Sequence, residues 1–441
     1  MNSVVVGLGK TGVSCVRHLL ERGVDVRATD SRAAPPGLAA LGALGGRLDI
    51  RVGGLDLSLL DGAQQLVMSP GVALEEPIAR LARDRGIEVI GDIELFARAV
   101  RAPVIGITGT NGKSTVTSLV ARMADGDGRR VLAGGNLGEP ALDLLARPEP
   151  ELYVLELSSY QLDTTSSLGL RAAAVLNVSA DHLDRYRGIT DYARTKERIF
   201  AHAEAAVVNL DDPIVAAMRR RDTPTATFSI VDPRADFSLA GEDGHEVLVR
   251  RGEPVLDCAR MKIAGRHNAA NALAALALGE AAGLGMPAML AALESFPGLA
   301  HRCEWVADVD GVRYIDDSKG TNVGATVAAV RGIPRPLVPI LGGDGKGQDF
   351  SPLAAALRGR VRGAVLIGRD APALGAALDG VCPLVRASQL EEAVGEAARL
   401  ARPGDVVLLS PACASLDMFR DYAHRGEVFA DAVRALRGAP R

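Results

Sequence analysis

The 441-residue chain carries 50 Lys and Arg against 54 Asp and Glu, a formal net charge of −4, with 48% hydrophobic and 24% charged residues. This is the balance of a globular protein, and at about 150 residues per domain it predicts roughly three domains. It gives no electrostatic reason to expect nucleic acid or an anionic membrane as a partner.

The chain opens MNSVVVGLGK, without a basic segment leading into an apolar one and a cleavage site. No apolar run reaches the ~20 residues that span a bilayer. The expectation is a cytoplasmic protein. SVVVG predicts a buried strand, and G-x-G-x-x-G (Gly7, Gly9, Gly12) follows it directly. Asp30 ends the next strand, VDVRATD, 18 residues beyond Gly12. Glycines permit the tight turn, the helix N-terminus faces a pyrophosphate, and an acidic strand end can bind a ribose hydroxyl. The pattern reads as a nucleotide-diphosphate site without specifying the nucleotide. A glycine turn that merely packs helix on strand is the alternative. QLVMSPG is a further strand, GVALEEP a loop, and the first domain boundary is expected near residue 92, after GIEVIGDIELF.

GITGTNGKST (106–115) comes next, with PVIGIT as a strand and STVTSLVARM as a helix. The strict P-loop is G-x-x-x-x-G-K-[ST]. Here Ile107 stands where its first glycine should be, while Gly109, Gly112, Lys113, Ser114 and Thr115 are in place. Gly109 can shape the turn instead. Backbone N–H groups of the loop would cradle phosphate oxygens, Lys113 would meet the β/γ-phosphates, and Ser114 or Thr115 would offer a hydroxyl to Mg²⁺.

LYVLELSSYQL ends a strand in Glu156, a carboxylate on an otherwise apolar strand. Buried and unpaired it would be costly, so a metal is its natural partner, with a Lys or Arg pairing as the alternative. LNVSADHLDRY places His182 just past another strand end, beside Asp181 and Asp184; ligand and structural roles are both open. AAVVNL is another strand, and TATFSI, DFSLA and HEVLVR (223–262) predict a small antiparallel insertion. An Ala/Leu-rich helix over 268–282 leads to a second linker, ESFPGLAHR (294–302). LVPILGG, GAVLIG and DVVLLSP supply the last strands. Short apolar runs separated by helical stretches mean parallel strands buried on both faces. The fold class is therefore α/β, doubly wound, with ligands beyond the carboxyl ends of the strands. The five cysteines (15, 258, 303, 382, 413) are scattered without a C-x-x-C pair, which argues against a disulfide framework or zinc cluster.

GTNGKST, LELSSYQLDTT, LNVSADHLDRY, YARTKERIF, GRHNAANALAA, HRCEWV, DDSKGTN, GGDGKGQDFS and LLSPACASLDMFRDYAHRGEVF occur in this order. Together they resemble the Mur ligases of peptidoglycan synthesis over essentially the whole chain. SPACASLD and DDSKGTN are most like the branch that adds D-glutamate to UDP-N-acetylmuramoyl-L-alanine. GTNGKST alone would not separate it from sister ligases or folylpolyglutamate synthase. The resemblance implies a three-domain α/β protein with largely parallel sheets: a Rossmann-like UDP-binding domain (1–92), a P-loop-type ATPase domain (93–296) and a Rossmann-like amino-acid-binding domain (297–441). It also implies an ATP-dependent ligase working through an acyl phosphate, with two Mg²⁺ ions, as a monomer.

Residue roles follow from the resemblance. Gly9, Thr11, Asp30, Ser31, Arg32, Ser69, Pro70 and Gly71 would contact UDP. Asn136 and Gly138 would hold the sugar end, with Ser158 and Gln161 at the muramoyl-alanine. Gly109, Thr110, Asn111, Gly112, Lys113, Ser114 and Thr115 would wrap the ATP phosphates. Asn268 and Asn271 would meet adenine, Arg302 the phosphates and Asp317 the ribose. Ser114 and Glu156 would hold one Mg²⁺, and His182 a second that shares Glu156. Lys196 matches a carbamylated lysine, which would turn a cation into an anion suited to the metal site. Lys319 would lie near the reacting centre. Thr321, Lys346, Ser415, Leu416 and Tyr422 would bind D-glutamate, with Tyr422 where many relatives have Phe.

Three rival readings remain. A nicotinamide-dependent dehydrogenase would use GLGKTG and Asp30, but leaves GTNGKST and Glu156 unexplained. A sister ligase would add another amino acid, although no D-N-P-R string occurs. A non-catalytic UDP-sugar-binding protein would have no use for Lys113, Glu156, His182 and Lys196 together.

Overall fold

The computed structural model of the chain describes all residues except 1, 43, 45–47, 183–184, 242–244, 264 and 437–441; Asp184 thus lies outside the described residues. Three sheets follow one another along the chain. The first contains β1 (Asn2–Val6), β2 (Asp25–Asp30), β3 (Leu48–Val52), β4 (Gln65–Met68) and β5 (Glu88–Gly91) in the order β3-β2-β1-β4-β5. Every pairing is parallel. The chain winds one way from β1 to β3 and the other way from β4, so a crevice opens beyond the carboxyl ends of β1 and β4. Helix Lys10–Glu21 leaves β1 through the glycine loop. A Cβ on Gly12 would lie 1.9 Å from the Gly7 carbonyl oxygen, so the helix can sit this close to the strand only with glycine there.

The second sheet contains β6 (Val104–Thr108), β7 (Val131–Gly135), β8 (Leu152–Glu156), β9 (Ala172–Val175), β10 (Ala206–Asn209), β11 (Thr225–Ser229), β12 (Phe237–Ala240), β13 (Val247–Arg250) and β14 (Glu253–Asp257). Its order is β14-β13-β12-β11-β10-β9-β6-β8-β7. Strands β6, β8 and β9 are buried throughout. Helices Lys113–Gly126, Arg266–Ala281 and Met286–Ser295 share one core cluster on one face, through Val116, Leu119, Leu273, Leu276 and Leu293. The expected antiparallel insertion is smaller than the sequence suggests. β11 runs parallel to β10 and β12 parallel to β11; only β12-β13-β14 is antiparallel. A short helix, Pro213–Ala216, lies between β10 and β11, and such a crossover permits the parallel pairing, whereas tight turns impose hairpins.

The third sheet contains β15 (Glu304–Val309), β16 (Val312–Asp316), β17 (Leu337–Gly342), β18 (Ala364–Ile367), β19 (Leu384–Arg386) and β20 (Val406–Leu409), in the order β15-β16-β20-β17-β18-β19. Only β15 and β16 pair antiparallel. No helix among the described residues is long and apolar enough to cross a membrane. The five cysteines are free thiols.

Candidate active site

The loop after β6 explains why the outer P-loop glycine is dispensable. Ile107 lies inside β6 and is fully buried, so the turn begins later, at Gly109. Gly109 has φ 152° and Gly112 has φ 84°, both in the region that favours glycine. A Cβ on Gly112 would stand 2.5 Å from Asn271 Oδ1. The carboxyl end of β9 clamps the loop. Thr110 N donates to the Asn177 carbonyl (2.9 Å), Asn111 N to Asn177 Oδ1 (2.8 Å), and Asn177 Nδ2 to the Asn111 carbonyl (3.1 Å). Lys113 Nζ donates to the carbonyls of Gly109 (2.9 Å) and Thr110 (2.8 Å). Burial lowers its pKa, partly opposed by the charge of Glu156.

Ser114 and Glu156 are in direct contact. Ser114 Oγ donates to Glu156 Oε2 at 2.5 Å, and Asn136 Nδ2 to Oε1 at 2.6 Å. Arg302 Nη2 donates to Ser114 Oγ at 2.7 Å, bringing a residue of the third unit onto the phosphate loop. Burial alone would raise the Glu156 carboxyl, but Lys113, Ser114, Asn136 and Arg302 together hold it below its ordinary value. A buried carboxylate touching a hydroxyl is a hard-oxygen donor set that fits Mg²⁺ rather than a soft metal.

His182 has φ 56°, and its ring lies 5.0 Å from that of Tyr160 and 6.5 Å from that of Tyr192. Lys196 is 1% exposed; its Nζ donates to the Gly109 carbonyl (2.9 Å) and lies 4.4 Å from the Tyr192 ring centre. Burial, and then the charge of Lys113, push its pKa well below the lysine value. Both anionic and cationic groups therefore collect around one loop.

Two cavities flank this centre. One, of about 620 Å³, lies over the glycine loop in the crevice beyond β1 and β4. Gly9, Thr11, Asp30, Ser31 and Arg32 line it from one side, and Ser69, Pro70 and Gly71 from another. Asn136, Gly138 and Gln161 close it from the central unit. Ser158 sits behind Gln161, whose Oε1 accepts from Ser158 N (3.1 Å) and whose Nε2 donates to Asp92 Oδ2 (2.8 Å). The Arg32 guanidinium paired with Asp30 holds that carboxyl down at about 2. The other cavity, of about 330 Å³, is lined by Asn111, Gly112 and Thr115, by Asn268 and Asn271, and by Arg302, Asp317 and Lys319. Asn271 Nδ2 donates to Asn268 Oδ1 at 3.2 Å, as two amides one helical turn apart can. Burial raises the Asp317 carboxyl to about 7, against hydrogen bonds from Ser410 Oγ and Cys303 N.

The remaining expected residues cluster on the third sheet's carboxyl edge. Lys346 Nζ lies 4.0 Å from Asp181 Oδ1. The loop of Lys346 is bonded to that of Ser415 through Asp344 N to the Ala414 carbonyl (3.0 Å) and Ala414 N to the Asp344 carbonyl (2.8 Å). Thr321 N donates to the Lys319 carbonyl (2.8 Å). Leu416 is 71% exposed. The Tyr422 ring stands over Lys319.

Several site residues escape sequence reasoning. Lys10 Nζ donates to the Gly138 carbonyl, bridging the first and second units across the larger cavity. Arg185 lines the same cavity, stacks 4.6 Å from the Tyr160 ring centre and donates to the Val72 carbonyl (3.1 Å). Asn177 and His267 line the smaller one. For Asn177, Arg185 and His267 the signal was present, inside LNVSADHLDRY and GRHNAANALAA.

Three family models match in series: Mur ligase MurD-like, N-terminal domain (residues 1–91), Mur ligase middle domain (107–279) and Mur ligase, glutamate ligase domain (301–413). A protein of Nitrosococcus oceani named UDP-N-acetylmuramoylalanine--D-glutamate ligase is 55% identical over 98% of this chain and 96% of its own. The protein of that name from Pseudomonas aeruginosa is 50% identical over 98% of each. Among solved structures, UDP-N-acetylmuramate-alanine ligase of Thermotoga maritima is similar in fold, with TM-score 0.63, 19% identity and 99% of both chains covered. A pseudomurein peptide ligase type C from Methanothermus fervidus has TM-score 0.64 at 19% identity, again over 99% of both. With one cavity lined by the 109–115 loop and another tied to it through Asn136, Glu156 and Ser114, three consecutive matches and half its residues shared with full-length relatives, this chain belongs to the Mur ligase family.

Proposed function

We propose that this chain joins D-glutamate to UDP-N-acetylmuramoyl-L-alanine, consuming ATP and releasing ADP and phosphate, in the cytoplasmic synthesis of peptidoglycan precursor. The observation that carries the reading is a 109–115 loop that lines one cavity and is hydrogen-bonded through Ser114, Glu156 and Asn136 to the wall of another, in a chain 55% identical to a D-glutamate ligase. The larger cavity takes UDP, with its pyrophosphate at the N-terminus of helix Lys10–Glu21. The smaller takes adenosine, with Asn268 and Asn271 at the base and Asp317 at the ribose.

A carboxylate repels an amine and has a poor leaving group. An oxygen of the muramoyl-alanine carboxylate attacks the γ-phosphorus and ADP leaves. The D-glutamate amine then attacks the acyl carbon, loses a proton, and the tetrahedral intermediate expels phosphate. Both steps concentrate negative charge, so Lys113, Arg302, Lys319 and the loop N–H groups carry most of the stabilisation. Mg²⁺, held by Ser114, Glu156, His182 and a carbamylated Lys196, would neutralise phosphate charge. Thr321, Lys346, Ser415, Leu416 and Tyr422 bind the D-glutamate carboxylates and backbone. The reading takes a monomer as the working unit, as the family resemblance implies.

The test is phosphate release with UDP-N-acetylmuramoyl-L-alanine and Mg·ATP against a panel of amino acids. D-Glutamate alone should give the signal, and Lys113→Ala should abolish it. Release with L-alanine, L-lysine or diaminopimelate instead would make this a sister ligase.

A further inference from the structure

Asn322 is absent from every role assigned above, yet its carboxamide is fully used. It is 3% exposed and caps helix Val323–Gly332, its Oδ1 accepting from Ala325 N at 2.8 Å. The same oxygen accepts from Asn111 Nδ2 of the phosphate loop at 3.4 Å. Its Nδ2 donates back to Asn111 Oδ1 at 3.2 Å and to Asp181 Oδ2 at 3.2 Å. The cap thus serves as a bridge between the third unit and two loops of the second.

The bridge continues to the Lys346 loop by two routes. Val323 N donates to Gln348 Oε1 (3.1 Å), and Gln348 Nε2 donates to the Gly345 carbonyl (3.0 Å). Asp181, through its other oxygen, accepts from His182 N (2.9 Å) and lies 4.0 Å from Lys346 Nζ. The helix start is pressed close to the second unit. A Cβ on Gly324 would stand 3.0 Å from Ser179 Oγ, an atom without a hydrogen-bond partner among the described residues.

We infer that Asn322 is a positioning residue that couples the phosphate loop to the amino-acid subsite, holding Thr321 and the Lys346 loop in register with Asn111 and Asp181. The inference rests on the D-glutamate ligase reading. An amide suits this place because it alone among short caps accepts on one atom and donates two bonds from another. Serine and aspartate cap a helix as well as asparagine does, but neither can give the two donated bonds.

That difference makes the test. Asn322→Ser and Asn322→Asp keep the cap acceptor; the second also sets a carboxylate against Asp181. Losing a bond to a charged group should raise the D-glutamate KM of Asn322→Ser roughly 10-fold or more, and that of Asn322→Asp further. The KM for UDP-N-acetylmuramoyl-L-alanine should stay within about twofold in both, and the melting midpoint of Asn322→Ser should hold, since the cap survives, while that of Asn322→Asp falls because its carboxylate is buried against Asp181. Amide hydrogen exchange in 343–348 should accelerate in both variants. The proposal is overturned by a D-glutamate KM within about twofold of wild type in both, or by all substrate KM values and the melting midpoint shifting together. Wild-type protein that releases no phosphate with D-glutamate fails the functional reading instead, and exchange in 343–348 then still decides the coupling.

Discussion

The ammonium of Lys319 lies 3.8 Å from the centre of the Tyr422 ring. Burial, and then the neighbouring Arg302, bring this lysine down to about 8. Two groups from opposite ends of the third unit therefore form one cationic element beside the smaller cavity. The ring face, not the hydroxyl, makes the contact, so Tyr422→Phe should keep kcat/KM for D-glutamate within about twofold. Tyr422→Ala removes a contact worth about 0.5–2 kcal/mol and should lower it about 2- to 30-fold. The cationic form is lost as pH rises through about 8, so kcat/KM should fall above that pH. Lys319→Arg should move the alkaline limb out of range. A wild-type profile flat to pH 10 would remove Lys319 from the charged machinery.

Burial, and then the charge of Lys113, push the Lys196 amine well below the ordinary lysine range, which favours its neutral form. Only a neutral amine adds CO₂, giving a carbamate and a proton. Protein equilibrated with ¹³C-bicarbonate should show one carbamate carbon resonance that Lys196→Ala lacks. That variant should lose activity by about 100-fold or more, with partial recovery in short carboxylic acids. Neither a resonance nor a recovery would leave the lysine with no anionic role.

Gly12→Ala forces a Cβ to 1.9 Å from the Gly7 carbonyl oxygen. The helix must move off β1, spoiling the turn that faces the larger cavity. The expected cost is about 1–3 kcal/mol in thermal or urea unfolding, with a raised KM for the UDP substrate. Unchanged unfolding would mean that the helix is not seated as described.

Glu94, 1% exposed, ties the helix after β5 to the second unit. It accepts from Ser166 N (2.7 Å), Ser167 N (3.0 Å), Ser167 Oγ (2.7 Å) and Arg98 Nε (3.0 Å). Burial would raise this carboxyl, but these donors hold it at about 2 against an ordinary 4.5. The folded value is the lower one, so the stabilisation is complete above the unfolded value and lost as pH falls toward 2. Glu94→Gln should be less stable by about 2–3 kcal/mol at pH 7, with the gap closing through that acid window. Parallel pH curves for the two proteins would contradict this.

The strand runs, the glycine loop, the phosphate loop and Glu156 were legible because each is a contiguous string or a breach of a local pattern. A carboxylate ending LYVLE violates the apolar run around it, and the structure finds it bonded to Ser114. TATFSI was misjudged because a strand's pairing direction depends on the path before it, here a short helix at Pro213–Ala216.

Asn177, Arg185, Tyr192 and Asn322 lie inside strings that carry the family resemblance, LNVSADHLDRY, YARTKERIF and DDSKGTN, but nothing local says what each one touches. Asn322 is 211 positions from Asn111 and 141 from Asp181, and no periodicity spans such separations. The chain's order alone specified three α/β units and the loops at their strand ends, because hydrophobic period and turn chemistry are short-range. Only packing decided which loops face one another, because hydrogen bonds and ion pairs depend on distance in space, and the sheets set that distance.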